Sequence, residues 1–258
     1  MPAKHNAFKA ALKNGETLFG CWLALASSYS TEMMGTAGFD WLLIDNEHAP
    51  NDLRTTLAQL QVLEASESAA LVRVPVGDTV ILKRMLDAGA QSILVPMVES
   101  AQQARDLVKD VTYPPEGRRG VGYSLTRASR FSEIADYGTT ADAEICLLIQ
   151  VENRAGLAAL DEILTVEGID GVFIGPADLA ADMGHMGNPG HTDVQAAIMD
   201  ALRRIRAAGK APGILSTKDE MTHDALAAGA QFVAVSADVL LLVNSARAMA
   251  AKWRGIPD

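Results

Sequence analysis

Short apolar runs, each bounded by polar or turn-forming residues, recur along the chain. They read FGCWLALA (19–26), DWLLID (40–45), AALVRV (69–74), SILVPM (92–97), ICLLIQV (145–151), GVFIG (171–175), PGILS (212–216) and QFVAVS (231–236). Runs of this length without alternation fit strands covered on both faces, as in a parallel sheet. Between most of them the apolar positions change to helical spacing, as in DLRTTLAQLQVLEAS (52–66), TVILKRMLDAG (79–89), SAQQARDLVKDV (100–111) and DVQAAIMDALRRIRAAG (193–209). LDAGAQSILV, LAAGAQFVAV and RAAGKAPGIL each end a helix on a glycine shortly before a strand. Glycine adopts the left-handed cap cheaply, so it marks a helix end. Eight strands alternating with helices predict parallel pairing, and a closed (β/α)8 TIM barrel is the simplest α/β arrangement of eight. An open doubly wound sheet is the alternative, but no G-x-G-x-x-G follows the first strand, which weakens its dinucleotide-binding form.

Two segments break the rhythm. YPPEGRRGVGYSLTRASRFSEIADYG (113–138) joins strands four and five and is too long for an ordinary connection, and DMGHMGNPGHTD (182–193) follows strand six. Loops of the first kind are usually functional or locally folded. The last helix, VLLLVNSARAMAAKW (239–253), is apolar over more than one face, which predicts packing on another subunit. The 258 residues suit one barrel domain over 1–258, since such barrels run to about 250 residues. With 49% hydrophobic and 21% charged residues, the chain can form a large core. The formal charge of -10 argues against general affinity for nucleic acid or anionic membrane, although a local metal or arginine can still attract an anion. Cys21 and Cys146 sit in apolar runs and read as buried thiols. No secretory signal or membrane-spanning run is visible, so a soluble cytoplasmic protein is expected.

Active sites of such barrels lie at the C-terminal ends of the strands. There the chain places Asp45, Asn46, Glu47 and His48 after strand two, Arg73 in strand three, Gln150 and Glu152 in strand five and Asp178 after strand six. Glu152 and Asp178 end neighbouring strands about 4.8 Å apart, close enough to share one small cation. An oxygen-only pair suits Mg, Mn or Co. Each acid alone could instead cap a helix or pair with an arginine such as Arg154. Arg73 interrupts an apolar strand and needs an anionic partner, either a fixed internal one or a substrate carboxylate or enolate oxygen. Asp45 and His48 are spaced for a hydrogen-bonded dyad with His48 as general base, although His48 could equally ligate a metal or sit in a surface loop. His185 and His191 read as structural loop residues without a partner at ligand spacing. No strand run contains a lysine, and Lys218 is the one remaining Schiff-base candidate, which steers enolate chemistry towards a metal.

These stretches together resemble the HpcH/HpaI aldolase family of class II pyruvate aldolases, typified by 4-hydroxy-2-oxoheptanedioate aldolase. The matching pieces are FDWLLIDNEHAP, LVRVP, LDAGAQSILVPMVES, YPPEGRRGVG, LTRASRF, IQVENRAGL, DGVFIGPADLAADMG and GAQFVAVSADV, which run in order from about Gly20 to Ala250. The resemblance implies a barrel whose last helix is exchanged between partners in a hexamer, a trimer of dimers. It implies one divalent metal per subunit on Glu152 and Asp178, and pyruvate chelating that metal. Backbone N–H groups near Ala177 and Asp178 would receive the pyruvate carboxylate, and Gln150 would lie beside it. Arg73 would stabilise the enolate oxygen, while Asp45 and His48 would move the aldol proton. Asp87, which spacing alone makes an exposed helix residue, would reach the dyad of a neighbouring subunit. Arg118, Arg119 and Arg127 lie in the segment expected near the aldehyde. The expected reaction is reversible cleavage of a 4-hydroxy-2-oxo acid to pyruvate and an aldehyde, for instance in aromatic compound catabolism. Two other readings are a malyl-CoA or citramalyl-CoA type lyase, which would need a basic patch near 118–130, and a non-catalytic barrel.

Overall fold

The structure is a computed structural model that describes residues 1–255. Eight parallel strands close into a barrel in sequence order. They are β1 (Leu18–Leu23), β2 (Trp41–Asp45), β3 (Ala69–Arg73), β4 (Ser92–Val95), β5 (Cys146–Val151), β6 (Gly171–Ile174), β7 (Ala211–Leu215) and β8 (Phe232–Ala237). All eight expected strands are present, and the closed barrel replaces the open-sheet alternative. Helices α1 (Ala7–Lys13), α2 (Ser28–Met34), α3 (Leu53–Leu63), α4 (Thr79–Asp87), α5 (Ala101–Val111) and α6 (Tyr137–Glu144) accompany the first half. Helices α7 (Arg154–Ala158), α8 (Leu160–Leu164), α9 (Pro176–Asp182), α10 (Thr192–Ala207), α11 (Asp219–Ala227) and α12 (Asp238–Arg254) accompany the second.

Two apolar layers hold this arrangement. One lies between strands and helices and is rich in Leu, Ile and Val, such as Leu42, Ile44, Val72, Ile93, Ile149 and Val172. The other fills the barrel itself with Trp22, Trp41, Leu43, Leu71, Leu94, Leu148, Phe173 and Phe232. Successive strand residues face opposite sides, so alternate positions point inward. Glycine and alanine stand beside the large inward residues. A Cβ on Gly20 would enter the Trp41 ring, and one on Gly213 would enter Phe232. Phe8 of α1 plugs the lower end, with ring centroids 6.2 Å from Trp41 and 6.1 Å from Phe232. The sequence pattern does not reveal this plug, because Phe8 and Leu12 are the only large apolar residues in a short helix that precedes the first strand.

The inward parity continues to the upper rim. Leu43 and Asp45 share a face, as do Leu71 and Arg73, and Leu148 and Gln150. The polar residues at the strand ends therefore sit directly above the apolar filling, which shields them from water on one side.

Helix α12 behaves differently from the others. Its first residue, Asp238, is buried and accepts N–H groups of Ala24 (2.8 Å) and Val239 (2.7 Å). No later residue of the helix is buried, and Leu242, Met249 and Trp253 are exposed. No helix is long and apolar enough to cross a membrane among the described residues.

Replacing Gly20 with Ala should destabilise the protein by about 3 kcal/mol, since the added methyl meets a rigid indole in a filled barrel. Urea denaturation measures this, and an unchanged midpoint would show that Trp41 does not fill the space beside β1.

Candidate active site

The upper rim is organised around a buried arginine. Arg73 ends β3 opposite Asp45 of β2 in register. Its Nε and Nη2 each donate to a different Asp45 carboxylate oxygen at 2.8 Å, a fork that both neutralises and orients the guanidinium. The Trp22 ring lies 4.1 Å beneath the guanidinium carbon. Nη1 stands 2.7 Å from Glu47 Oε2 as an ion pair, without an aligned hydrogen bond. Sequence position makes Glu47 only a rim residue. Its contact with Arg73 comes from the turn after β2, where Asp45 Oδ1 also accepts the Glu47 N–H at 3.0 Å.

The expected Asp45–His48 side-chain dyad is arranged otherwise within the chain. Asp45 meets His48 through the backbone N–H at 3.4 Å, while its carboxylate is committed to Arg73. The His48 ring is mostly exposed, with Nε2 3.9 Å from Glu47 Oε2. His48 is thus at the rim, and Asp45 shapes its loop.

Glu152, two residues beyond inward-facing Gln150, is 2% exposed. Its Oε1 accepts the Met97 N–H at 2.8 Å, and its Oε2 accepts the Gln150 amide. Met97 is in the left-handed region at φ +55°, a strain for a non-glycine residue that aims its N–H at the acid. No residue type signals Met97 in the sequence. Gly175 is equally specific, because a Cβ there would lie 2.7 Å from Glu152 Oε2. Glu152 has no cationic partner among these contacts, so the alternative of a pair with Arg154 is not realised; Arg154 instead binds Asp182 at 3.0 Å. Burial pushes the Glu152 carboxyl up to about 7, the Gln150 and Met97 donors oppose this, and the charges of Asp178 and Glu47 add to it. Burial also raises Glu47, with Arg73 opposing and Asp45 and Asp178 adding.

Asp178 lies in the first turn of α9, directly after β6 and Gly175. It caps no helix end, and no side chain caps α9. The N–H groups of Ala177 and Asp178 precede the first intrahelical bond, from Leu179 to the Gly175 carbonyl, so they remain free donors at the exposed rim. Asp45, Glu47, Glu152 and Asp178 are four carboxylates against one guanidinium. That surplus, the cradle left by Gly175 and the buried Gln150 Oε1, which has no partner among the described residues, fit a hard divalent cation on Glu152 and Asp178, with a polar ligand beside Gln150.

The long 113–138 segment contains two single-turn 3-10 helices, Tyr123–Leu125 and Arg127–Ser129, and leads into α6. It follows α5 and precedes β5, which places it at the lower end of its own barrel, away from Arg73. Asp87, the last residue of α4, is at that end too. Its carboxylate lies 3.4 Å from Nη2 of Arg119, which is fully buried and stacked 4.3 Å over Tyr113. Arg118 pairs with Asp110 at 2.5 Å, and Arg127 and Arg130 pair with Glu64 at 2.6 and 3.3 Å. A hollow of about 580 Å³ opens at this lower rim beside Gln91, Arg127 and Tyr137. Glu64 and Glu67 line it, but none of Asp45, Glu47, Glu152 and Asp178 does. The basic patch expected of a CoA-binding lyase is therefore largely neutralised. Lys218 is exposed and precedes α11, and Lys210 donates to the carbonyls of Val166 and Ile169 below the barrel.

In the metal-free protein, Glu152 binds a proton in the folded chain but not in the unfolded chain between about 4.5 and 7. Its contribution to stability is therefore present below 4.5 and declines as pH rises through that window. Glu152→Gln should remove this decline, so the variant should gain on the parent between pH 5 and pH 7.5 in urea denaturation. Parallel pH profiles would refute the raised carboxyl.

The HpcH/HpaI aldolase/citrate lyase family profile matches residues 18–245. The chain is 58% identical to the hydroxypyruvate/pyruvate aldolase of Roseobacter denitrificans, over 98% of this chain and 99% of that one. It is 53% identical to the 4-hydroxy-2-oxo-heptane-1,7-dioate aldolase of Klebsiella pneumoniae, over 96% and 94%. A crystal structure of a HpcH/HpaI aldolase/citrate lyase family protein from Burkholderia cenocepacia superposes with a TM-score of 0.93 at 38% identity, over 96% and 99%. A profile that spans β1 to α12, and with it Arg73, Glu152 and Asp178, makes this chain a member of the HpcH/HpaI aldolase/citrate lyase family.

Proposed function

We propose that this protein is a class II pyruvate aldolase that reversibly cleaves 4-hydroxy-2-oxo acids to pyruvate and an aldehyde. The observation that carries this reading is an oxygen-only acid pair beside an inward arginine, in a barrel whose strands contain no lysine. Similarity to the Roseobacter and Klebsiella aldolases supports it. Glu152 and Asp178 would hold one divalent cation, of the Mg, Mn or Co class, because their donors are all oxygen. Such a cation supplies Lewis-acid polarisation of the keto oxygen.

The other roles belong to the chain. The free N–H groups of Ala177 and Asp178 receive the pyruvate carboxylate near the positive end of α9. Gln150, whose amide N–H is held by Glu152, lies beside the same ligand. Arg73 uses two of its five N–H bonds on Asp45, and the remaining donors stabilise negative charge developing on the keto oxygen. Fixed in advance by Asp45 and Trp22, it needs no reorganisation during reaction. The exposed ring of His48 takes and returns the proton of the aldol hydroxyl, with Asp45 holding its loop. Asp87 and the 113–138 segment, at the lower rim, serve the site of another copy. This matches an assembly of the trimer-of-dimers type, in which the exposed face of α12 is covered by a partner. Residues 1–258 would form one catalytic unit in the cytoplasm, and catabolism of aromatic compounds is one pathway that yields such acids.

Exhaustive chelation should abolish retro-aldol activity, and Asp178→Asn should lower kcat/KM by on the order of 10³ after metal reloading. Arg73→Lys should cost about 10² in kcat, because an ammonium cannot reproduce the fork. Pyruvate release from a panel of hydroxy-oxo acids measures all three. Full activity of stripped protein, or borohydride trapping of pyruvate on Lys218, would sink the metal mechanism.

A further inference from the structure

Among the described residues, one cluster outside the barrel mouth joins metal-ligating side chains. The segment between α9 and α10 makes two successive turns. The Asn188 N–H donates to the His185 carbonyl at 2.9 Å, and the His191 N–H donates to the Asn188 carbonyl at 3.1 Å. Gly184 (φ +87°) and Gly187 (φ +73°) supply the left-handed backbone that these turns require. The result stacks the His185 and His191 rings, with centroids 3.5 Å apart and planes 15° from parallel. Asp193 follows in the first turn of α10. One nitrogen from each imidazole and a carboxylate oxygen of Asp193 all lie within 4.8 Å of one another. The sequence, in which these histidines have no partner at ligand spacing, does not disclose this meeting.

We propose that His185, His191 and Asp193 form a second ion site, selective for a borderline divalent transition metal such as Ni²⁺ or Zn²⁺. Two imidazole nitrogens favour that class, whereas Mg²⁺ and Ca²⁺ prefer oxygen throughout. A tetrahedral ion with metal–nitrogen bonds near 2.0–2.1 Å holds its donors about 3.3 Å apart. The three donors reach that spacing by side-chain rotation, because Asp193 is exposed and both histidines are half-buried. Three protein ligands leave a position for water. The chain thus carries two sites of opposite hardness, one all-oxygen at the barrel mouth and one nitrogen-rich on the adjoining loop.

Binding here competes with a helix cap. His191 is the N-cap of α10, and its Nδ1 accepts the Asp193 N–H at 3.3 Å. A metal taken by Nδ1 uses that lone pair directly. A metal taken by Nε2 moves the ring proton to Nδ1, which then cannot accept. Either way, coordination replaces the cap. The Asp193 carboxylate offsets the unfavourable meeting of a cation with the positive end of α10.

The test uses full-length protein carrying Glu152→Gln and Asp178→Asn, so that the barrel-mouth acids no longer compete. Titration with Ni²⁺ by calorimetry should find one ion per subunit, and the ion should raise the melting temperature. Adding His185→Ala, or separately His191→Asn, should weaken binding at least tenfold. Asn keeps an N-cap, so the metal-free melting temperature of the His191→Asn variant should match its parent. Mg²⁺ at equal concentration should give no binding heat. Absence of Ni²⁺ binding to the Glu152→Gln/Asp178→Asn protein would overturn the assignment. Binding that survives both histidine substitutions would overturn it too.

Discussion

Burial of one arginine at the mouth of an apolar barrel constrains everything around it. Arg73 sits above Leu71 and Trp22, where an unpaired charge is not tolerated. Register places Asp45 directly opposite on the next strand. Removing one partner of a buried pair costs about 3–5 kcal/mol, because the other charge is left stranded. An exposed pair such as Arg154–Asp182 stays solvated and carries no such penalty. The Asp45–Arg73 fork is therefore structural before it is functional. Its second consequence concerns His48. A carboxylate with both oxygens on a guanidinium and one also on two backbone N–H groups has little capacity left for an imidazole.

The same rim collects more negative charge than Arg73 can neutralise. Glu152 is the most exposed to that imbalance in energetic terms, because it is the most buried and has only neutral donors. Two unusual backbone positions maintain it there: Met97, strained to present an N–H, and Gly175, lacking the Cβ that would displace a carboxylate oxygen. A protein that tolerates this arrangement holds a carboxyl near neutral pH, ready to lose its proton to a cation. Local stability and ion affinity thus pull on the same group in opposite directions.

Much of this was legible in the chain, for a topological reason. In a parallel barrel every strand ends on one rim, so Asp45, Arg73, Gln150, Glu152 and Asp178 converge once the strands are identified. The first strand stops at Leu23, short of the apolar run, because Ala24 and Leu25 turn their N–H groups to Asp238. Other features need coordinates. The positive φ of Met97 has no glycine to announce it. The ion pairs made by the 113–138 segment, such as Arg119 with Asp87 and Arg127 with Glu64, do not follow from its composition. The stacking of His185 on His191 arises from two turns whose geometry does not follow from spacing. Glu47 was visible as a rim acid, but its contact with Arg73 depends on how Asp45 folds the loop.

At the lower rim a fully buried arginine has Nε and Nη1 without partners among the described residues. Arg119 is gripped between Tyr113 and Tyr137 and extends Nη2 towards Asp87, whose side chain remains partly exposed. Burying a guanidinium beside an accessible carboxylate and a tyrosine hydroxyl, each at 3.4 Å, stabilises a barrel poorly, because such long contacts return little of the desolvation penalty. It is a good way to fix the direction of an acid that stays accessible. That acid's own barrel mouth lies at the opposite end of the strands. In the proposed assembly it has a target on the neighbouring mouth. The exposed apolar face of α12 supplies an independent reason for copies to associate. Both features are costly in an isolated subunit, and that cost is what supports the proposed assembly of copies.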